Sequence, residues 1–536
     1  MYDWIDSDAN RYRSPYSASG AKVKGQINRT NKKNINLTSS TTLVYDKIIN
    51  EDHNINLLGG YEVSSTKYSY LSALGQNLPN DNLKTLSVAA SPVSVGGSSS
   101  EKSMISYFSR LNYDYKGKYY FSGSFRRDGS SKLGANERWA NFYSVSGSWR
   151  MSEEEFMKNI SVIDNLKLRA SYGTSGNLPS GYYDHLPLYG YTSKYVGQPA
   201  GAESQLSNDN LTWEKNHNLN FGLDFGFLNR IAGSIDYFKR TTSDLLMAKN
   251  ISTVTGFSSV MRNVGEMENT GFEFELNTQN IVKDDFHWNT TFNISFLDNK
   301  ITKLLSDETD SYTIKKEGLP YYTYNLLPWA GVDSENGDPL WYKVDTDENG
   351  NKTVSDETTN NYKETEQVEM GSPDPTFFGS IGNNFSYKGF DLSFLFNFSV
   401  GGQIYHIHGS SLWNDGYKSY KYALPATQTD YWEKPGDVSK NPKPIWGGNK
   451  KSYKPSSRFL MDNDYIRLKN ISLAYNLPSS LVKKASLTSV KFYVQGTNLL
   501  TFASQDLVDP EQSPSGFIGF EMPNNKTVTF GVSVEF

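Results

Sequence analysis

The sequence predicts an all-β fold, an antiparallel up-and-down transmembrane β-barrel. Three observations lead there. Apolar and polar residues alternate along many segments. The composition is rich in rings and poor in aliphatic core. Tight and long connections tend to alternate along the chain.

Only 37% of the 536 residues are hydrophobic, yet 14% are aromatic, with 36 Tyr, 29 Phe and 10 Trp. With 43 Gly and 20 Pro, this mixture suits strands and turns better than helices. The charge balance of 53 basic against 58 acidic residues gives −5 overall without a basic patch, so nucleic acid is excluded as a partner. There is no Cys, which excludes disulfides and thiolate metal sites. No apolar run is long enough for a transmembrane helix, but spanning strands escape that test because their signal is alternation.

The alternation is explicit. In NLKLRASYG, Leu166, Leu168, Ala170 and Tyr172 oppose Lys167, Arg169 and Ser171. In LNFGLDFGF, Leu219, Phe221, Leu223, Phe225 and Phe227 share one face. GFEFELN sets Phe272, Phe274 and Leu276 against Glu273 and Glu275, and WNTTFNISF sets Trp288, Phe292, Ile294 and Phe296 against Asn289, Thr291, Asn293 and Ser295. FDLSFLFNFSV carries Phe390, Leu392, Phe394, Phe396, Phe398 and Val400 on one side. The chain ends in the same pattern, with Val528, Phe530, Val532, Val534 and Phe536 alternating with polar or small residues. A period of two means strands with one apolar and one wet face.

About fourteen to fifteen such strands can be counted, many near the nine to eleven residues that a tilted membrane strand needs. They begin near Asn34, Asn54, Lys102, Lys118, Trp139, Asn165, Thr212, Arg230, Gly271, Phe286, Thr376, Phe390, Asp464, Thr488 and Lys526. In YIRLKNISLAY the apolar phase slips between Leu468 and Ile471, which predicts a bulge near Asn470. Tight turns at 115–118, 227–230 and 387–390 stand between long polar stretches at 128–138, 176–210, 244–267, 298–374 and 401–461. An up-and-down sheet sends alternate connections to opposite ends. One end therefore carries tight turns and the other large extracellular loops, as in outer-membrane barrels.

FRRDGSSKLGANERWANFYSVSGSWRMSEEEF (125–156) resembles the signature stretch of the SusC/RagA family of TonB-linked outer-membrane transporters of Bacteroidetes. LRASYGTSGN (168–177), NDNLTWEKNHNLNFGLDF (208–225), NVGEMENTGFEFEL (263–276), GSPDPTFFGSIGNNFSYKGFDLSFLF (371–396), DYIRLKNISLAYNLP (464–478) and VKFYVQGTNLLTF (490–502) continue the likeness in order. The resemblance implies a barrel of about 22 strands filled by a plug, a TonB-contacting segment, and a SusD-like lipoprotein as partner. It implies import of oligosaccharides or peptides across the outer membrane, in contact with its lipid. No plug is legible, so the whole of 1–536 is expected to be the C-terminal, barrel portion of a longer transporter. The terminal Phe530, Val532, Val534 and Phe536 resemble the strand that the outer-membrane assembly machinery recognises.

The loops hold the candidate sites. GLPYYTYNLLPWAGVD (318–333), LWNDGYKSYKYALP (412–425) and TDYWEKP (429–435) combine rings with polar groups, and sugar faces stack on such rings. Tyr321, Tyr322, Trp329, Trp341, Trp413, Tyr417, Tyr431 and Trp432 are the residues expected to touch a glycan, a peptide or the lipoprotein. DTDENGNKTVSD (345–356) matches a calcium loop at Asp345, Asp347, Asn349 and Asp356. However, strand patterns flank it and Asn349-Gly350 is a preferred hairpin turn, which makes a plain hairpin the main reading. His406 and His408 share a strand face without a third ligand nearby. No nucleophile–base motif or phosphate loop occurs, so no catalytic residues are assigned and the chain is not read as an enzyme. The alternative to transport is a soluble or surface-bound β-rich glycan-binding adhesin. That reading predicts rings buried between two sheets.

Overall fold

A computed structural model describes residues 1–348, 350–417, 425–513 and 515–536. Sixteen strands form one antiparallel sheet in strict chain order. They are Tyr2–Arg13, Gln26–Ile49, His53–Gln76, Ser91–Tyr115, Tyr119–Ser130, Trp139–Arg150, Ile163–Asn177 and Glu214–Phe227, followed by Ile231–Ser243, Glu266–Lys283, Phe286–Lys303, Phe377–Tyr387, Phe390–Val400, Tyr465–Asn476, Ser489–Ala503 and Thr527–Glu535. All fifteen strands read from the sequence are present. The sixteenth is Tyr2–Arg13, which pairs Tyr2 with Leu37 and Arg13 with Gln26. Its YDWIDSDANRYR lacks an apolar stripe, so only its partner reveals it. The expected slip is also found, as a register shift between Leu468 and Asn470.

Connections at the two ends differ in length, and the alternation fails only where 131–138 is shorter than the 151–162 that follows it. Residues 50–52, 116–118, 151–162, 228–230, 284–285, 388–389 and 477–488 form the shorter set. Residues 14–25, 77–90, 131–138, 178–213, 244–265, 304–376, 401–464 and 504–526 form the other. Rings cluster beside the short turns. His53 lies 4.8 Å from Tyr115 and Phe390 lies 4.5 Å from Tyr475 between ring centres, as expected of an interfacial aromatic girdle.

The chain divides into two compact units. The first comprises Met1–Ser148, Ser171–Asn218 and Thr242–Gly265. On its wet face Arg126 pairs with Asp128 at 2.7 Å and Glu62 at 3.7 Å. Its core is small: Leu133, Phe142 and Trp213, backed by Met104, Ala140 and Leu178. The second comprises Trp149–Ala170, Leu219–Thr241 and Glu266–Phe536. There Arg169 bridges Asp224 at 2.7 Å and Asp236 at 3.0 Å across three strands.

Among the described residues no second layer covers the apolar face. Phe221 and Phe272 are each 50% exposed and Phe530 is 80% exposed. Rings and aliphatic side chains that stay uncovered along so many strands need an apolar solvent, and a dry core between two sheets is not what receives them.

Candidate functional site: a folded loop assembly

Three long connections of the second unit, 304–376, 401–464 and 504–526, fold together. Gln403–His406 pairs antiparallel with Leu460–Asp462 and parallel with Phe517–Ile518. Tyr324, Leu326, Tyr405 and Phe459 are buried as a core, with Tyr312, Met370, Ile407, Trp413, Leu460 and Phe517 packed on it. Each large buried side chain contributes roughly 1.5–3 kcal/mol by leaving water, enough to hold a small folded body where a solvated loop would otherwise fray. The Tyr324 hydroxyl donates to the carbonyls of Gly516 at 2.7 Å and Gln403 at 3.1 Å, tying all three segments. Burial pushes the phenols of Tyr324 and Tyr405 well above the usual tyrosine range, so both stay neutral and Tyr324 keeps the proton it donates. Tyr324→Phe leaves the packing intact and removes that donor. It is expected to cost about 0.5–1.5 kcal/mol, read as faster hydrogen exchange at the amides of Gln403–His406.

Two ion networks carry the rest. Asp415 is fully buried against Arg458, with Nη1 at 2.5 Å and Nη2 at 3.0 Å from its two oxygens. Ser452 and Gln428 also donate to Asp415, and Arg458 reaches Asn441 at 2.8 Å while its guanidinium lies 5.0 Å from the Trp329 ring centre. In the second network Arg467, on a strand of the main sheet, binds Asp509 at 2.7 Å and Glu511 at 2.6 Å, and Lys469 adds a contact to Glu511 at 2.7 Å. Burial opposes the charge of Asp509, but Arg467 and the backbone N–H groups of Glu511 and Asn524 outweigh it and hold the carboxyl below its usual range. A carboxyl depressed on folding stabilises above its unfolded value and loses that stability as pH falls through its folded value. Acidification below the ordinary carboxylate range is therefore expected to loosen residues 504–526 first, and Arg467→Ala to loosen them already at neutral pH. Hydrogen exchange across pH checks both.

The predicted aromatic residues fall into different settings. Trp341 is 1% exposed and meets Trp329 edge-on at 5.6 Å. Trp432 is buried, donating its indole N–H to the Ser334 carbonyl at 2.8 Å. Trp413 packs on the core and donates to Thr427 at 2.9 Å. Tyr417 stacks flat on Tyr453 at 3.7 Å between ring centres. Tyr321 meets Tyr322 edge-on at 4.9 Å, and Tyr322 and Tyr431 keep substantial exposed surface. A cavity of about 970 Å³ opens in the same assembly. Ile314, Leu327 and Val368 supply its apolar lining, and the ion pairs Lys316–Glu369 and Lys352–Glu366, each 2.7 Å, border it.

Residues 345–356 lie in a hairpin, Pro339–Thr346 against Lys352–Thr359, in which Asp345 pairs with Thr353. Asp347 accepts hydrogen bonds from Asn351 that close the turn, at 2.8 and 2.9 Å. Asn349 lies outside the described residues, as do residues 418–424 of the aromatic stretch 412–425. His406 is buried with its Nδ1 lacking a hydrogen-bond partner among the described residues, and His408 stacks on Phe520 at 4.4 Å. Among the described residues no group of three or more His, Asp or Glu is placed to hold a metal ion. The Asp415–Arg458 and Arg467–Asp509 pairs had no signal in the sequence, because their partners stand 43 and 42 residues apart without a shared periodicity.

The family profile described as "TonB dependent receptor-like, beta-barrel" matches residues 2–499. The chain belongs to this family of outer-membrane β-barrels. Within it, this receptor barrel is of the SusC/RagA type. It is 31% identical to TonB-dependent receptor P3 of Formosa agariphila over 99% of its own length and 55% of that protein. It is 30% identical to TonB-dependent receptor SusC of Bacteroides thetaiotaomicron over 81% of its length and 44% of that protein. Among solved structures, the RagAB peptide transporter matches all of the chain and 59% of the solved one, at 27% identity and a TM-score of 0.87. The chain thus spans about half the length of the curated relatives it matches.

Proposed function

We propose that this chain forms the wall and outer loops of a TonB-dependent importer that takes up an oligosaccharide or a peptide. The observation that carries this reading is the two-faced sheet. Uncovered rings face lipid, and ion networks such as Arg169–Asp224–Asp236 occupy the opposite, wet face. A SusD-like lipoprotein is the partner expected at the loop end, and TonB would act through a plug held within the wall. SusC and the RagAB peptide transporter support the reading by similarity in sequence and fold.

The folded loops 304–376, 401–464 and 504–526 would form the extracellular surface that meets solute and lipoprotein. Tyr322 and Tyr431 are the predicted aromatic residues with the most exposed surface there. Cells carrying or lacking the gene can be given fluorescent oligosaccharides and fluorescent peptides. Uptake of one class that depends on both the gene and TonB supports import. Equal uptake of both classes in the two strains overturns it.

A further inference from the structure

The wall of the first unit carries a dent on its lipid face. Glycines inside strands cost stability and commonly mark close approach by another group. Two neighbours obey that rule internally. A side chain at Gly60 would meet the Phe108 ring at 2.4 Å, and one at Gly129 would meet the Trp139 ring at 2.7 Å. Gly59 and Gly123 do not. Around Gly59 nothing lies within 4 Å of the Cβ position, and Gly123 meets nothing nearer than 3.6 Å. Neither has a positive φ that would require glycine. Gly59 pairs with Ser109, so two small residues fall side by side, and Gly123, paired with Leu111 on the Ser109 strand, lies diagonally beyond them.

Around Ser109 and Gly123 a hollow of about 370 Å³ is walled by Leu57, Leu111, Phe121, Phe125 and Val145. Leu57, Phe121 and Phe125 are 43–47% exposed and share their strand faces with Tyr61 and Tyr107, so the hollow opens to the hydrocarbon. Gly123 lies five residues beyond the 116–118 turn. That is about 17 Å along the strand, inside the half of the bilayer nearer the short turns. At the turn itself Lys116 stands over the Tyr115 ring at 5.3 Å and pairs with Asp52 at 3.2 Å, so ammonium and carboxylate are presented together to a zwitterionic headgroup, and Tyr119 continues the girdle.

We propose that this hollow is a binding groove for one acyl chain of a phospholipid from the leaflet on the short-turn side, with the headgroup at Lys116 and the girdle. The occupant follows from position, because the groove is continuous with the lipid-facing belt and bordered by an interfacial cation. Loose lipid fills any surface, but a hollow between fixed rings holds a chain longer, since the chain buries more of its surface there than on a flat wall.

The test uses the purified full chain, delipidated in mild detergent, titrated with phosphatidylethanolamine and counted by native mass spectrometry. Wild type is expected to retain one phospholipid more tightly than the rest, by tenfold or more. Gly123→Leu, whose side chain has room to fill the hollow, should abolish that step, while Gly123→Ala, and Val532→Leu on the last strand, keep it. Circular dichroism confirms the sheet in each variant. Equal retention by wild type and Gly123→Leu overturns the proposal. So does a dimer that Gly123→Leu dissociates, since a second copy would then be the occupant.

Discussion

Asp415→Ala is expected to open the loop assembly while leaving the main sheet in place. Asp415 is 1% exposed and is the point on which Arg458, Ser452 and Gln428 converge. Removing it leaves the Arg458 guanidinium buried without its counter-charge. Breaking a buried pair in this way costs about 3–5 kcal/mol, chiefly the penalty of the stranded charge. The expected result is selective. Trypsin should cleave faster after the surface residues Lys450, Lys451 and Lys454, and amides of 412–417 and 425–458 should exchange faster, while strands such as Phe286–Lys303 keep their protection. Replacing both partners together, Asp415→Leu with Arg458→Met, should recover much of the loss because no charge is then left buried. Unchanged proteolysis in Asp415→Ala would show that the aromatic core holds the loops without the pair.

A second expected result separates the two faces of the wall at one position in the bilayer. Phe292 is paired with Leu276 on one side and Ile381 on the other, and its ring lies 6.1 Å from Phe274. It stands seven residues from the 284–285 turn, which with strand tilt puts it near the bilayer centre. Phe292→Arg is expected to destabilise the folded protein by about 2–4 kcal/mol, the cost of a cation on the lipid face at the midplane. The next residue, Asn293, points the other way and lies directly opposite Glu275. Asn293→Arg places a cation beside that carboxylate on the wet face and is expected to change stability by less than about 1 kcal/mol. Urea titration in lipid vesicles gives both numbers. Similar costs for the two variants would mean that neither face is in hydrocarbon, and the import reading would fail with the wall.

The strands were legible because each repeats a local rule. Leu219 to Phe227 or Phe390 to Val400 needs only its own sequence to show a greasy face and a wet face, and even the slip at Asn470 is written into the spacing of Leu468 and Ile471. Tyr2–Arg13 shows where that rule stops. Asp6, Asp8 and Asn10 stand where an apolar stripe would be, and the strand exists because Gln26–Leu37 offers it a partner. In the loops the rings were visible but their roles were not. Trp341 and Trp432 read like Tyr322 and Tyr431 as ring-bearing residues in polar stretches, yet the first pair is buried and the second pair keeps surface.

Sequence alone thus determined the class of fold, its membrane setting, the alternation of short and long connections and the family resemblance, because period, ring content and turn chemistry act over a few residues. Tertiary structure alone decided which loops fold together, that Asp415 meets Arg458 and Arg467 meets Asp509, and which glycines on the wall stay uncovered. The physical reason is range. A strand's two faces are set by neighbours along the chain, whereas a buried charge or an open hollow is set by residues that only folding brings within a few ångströms.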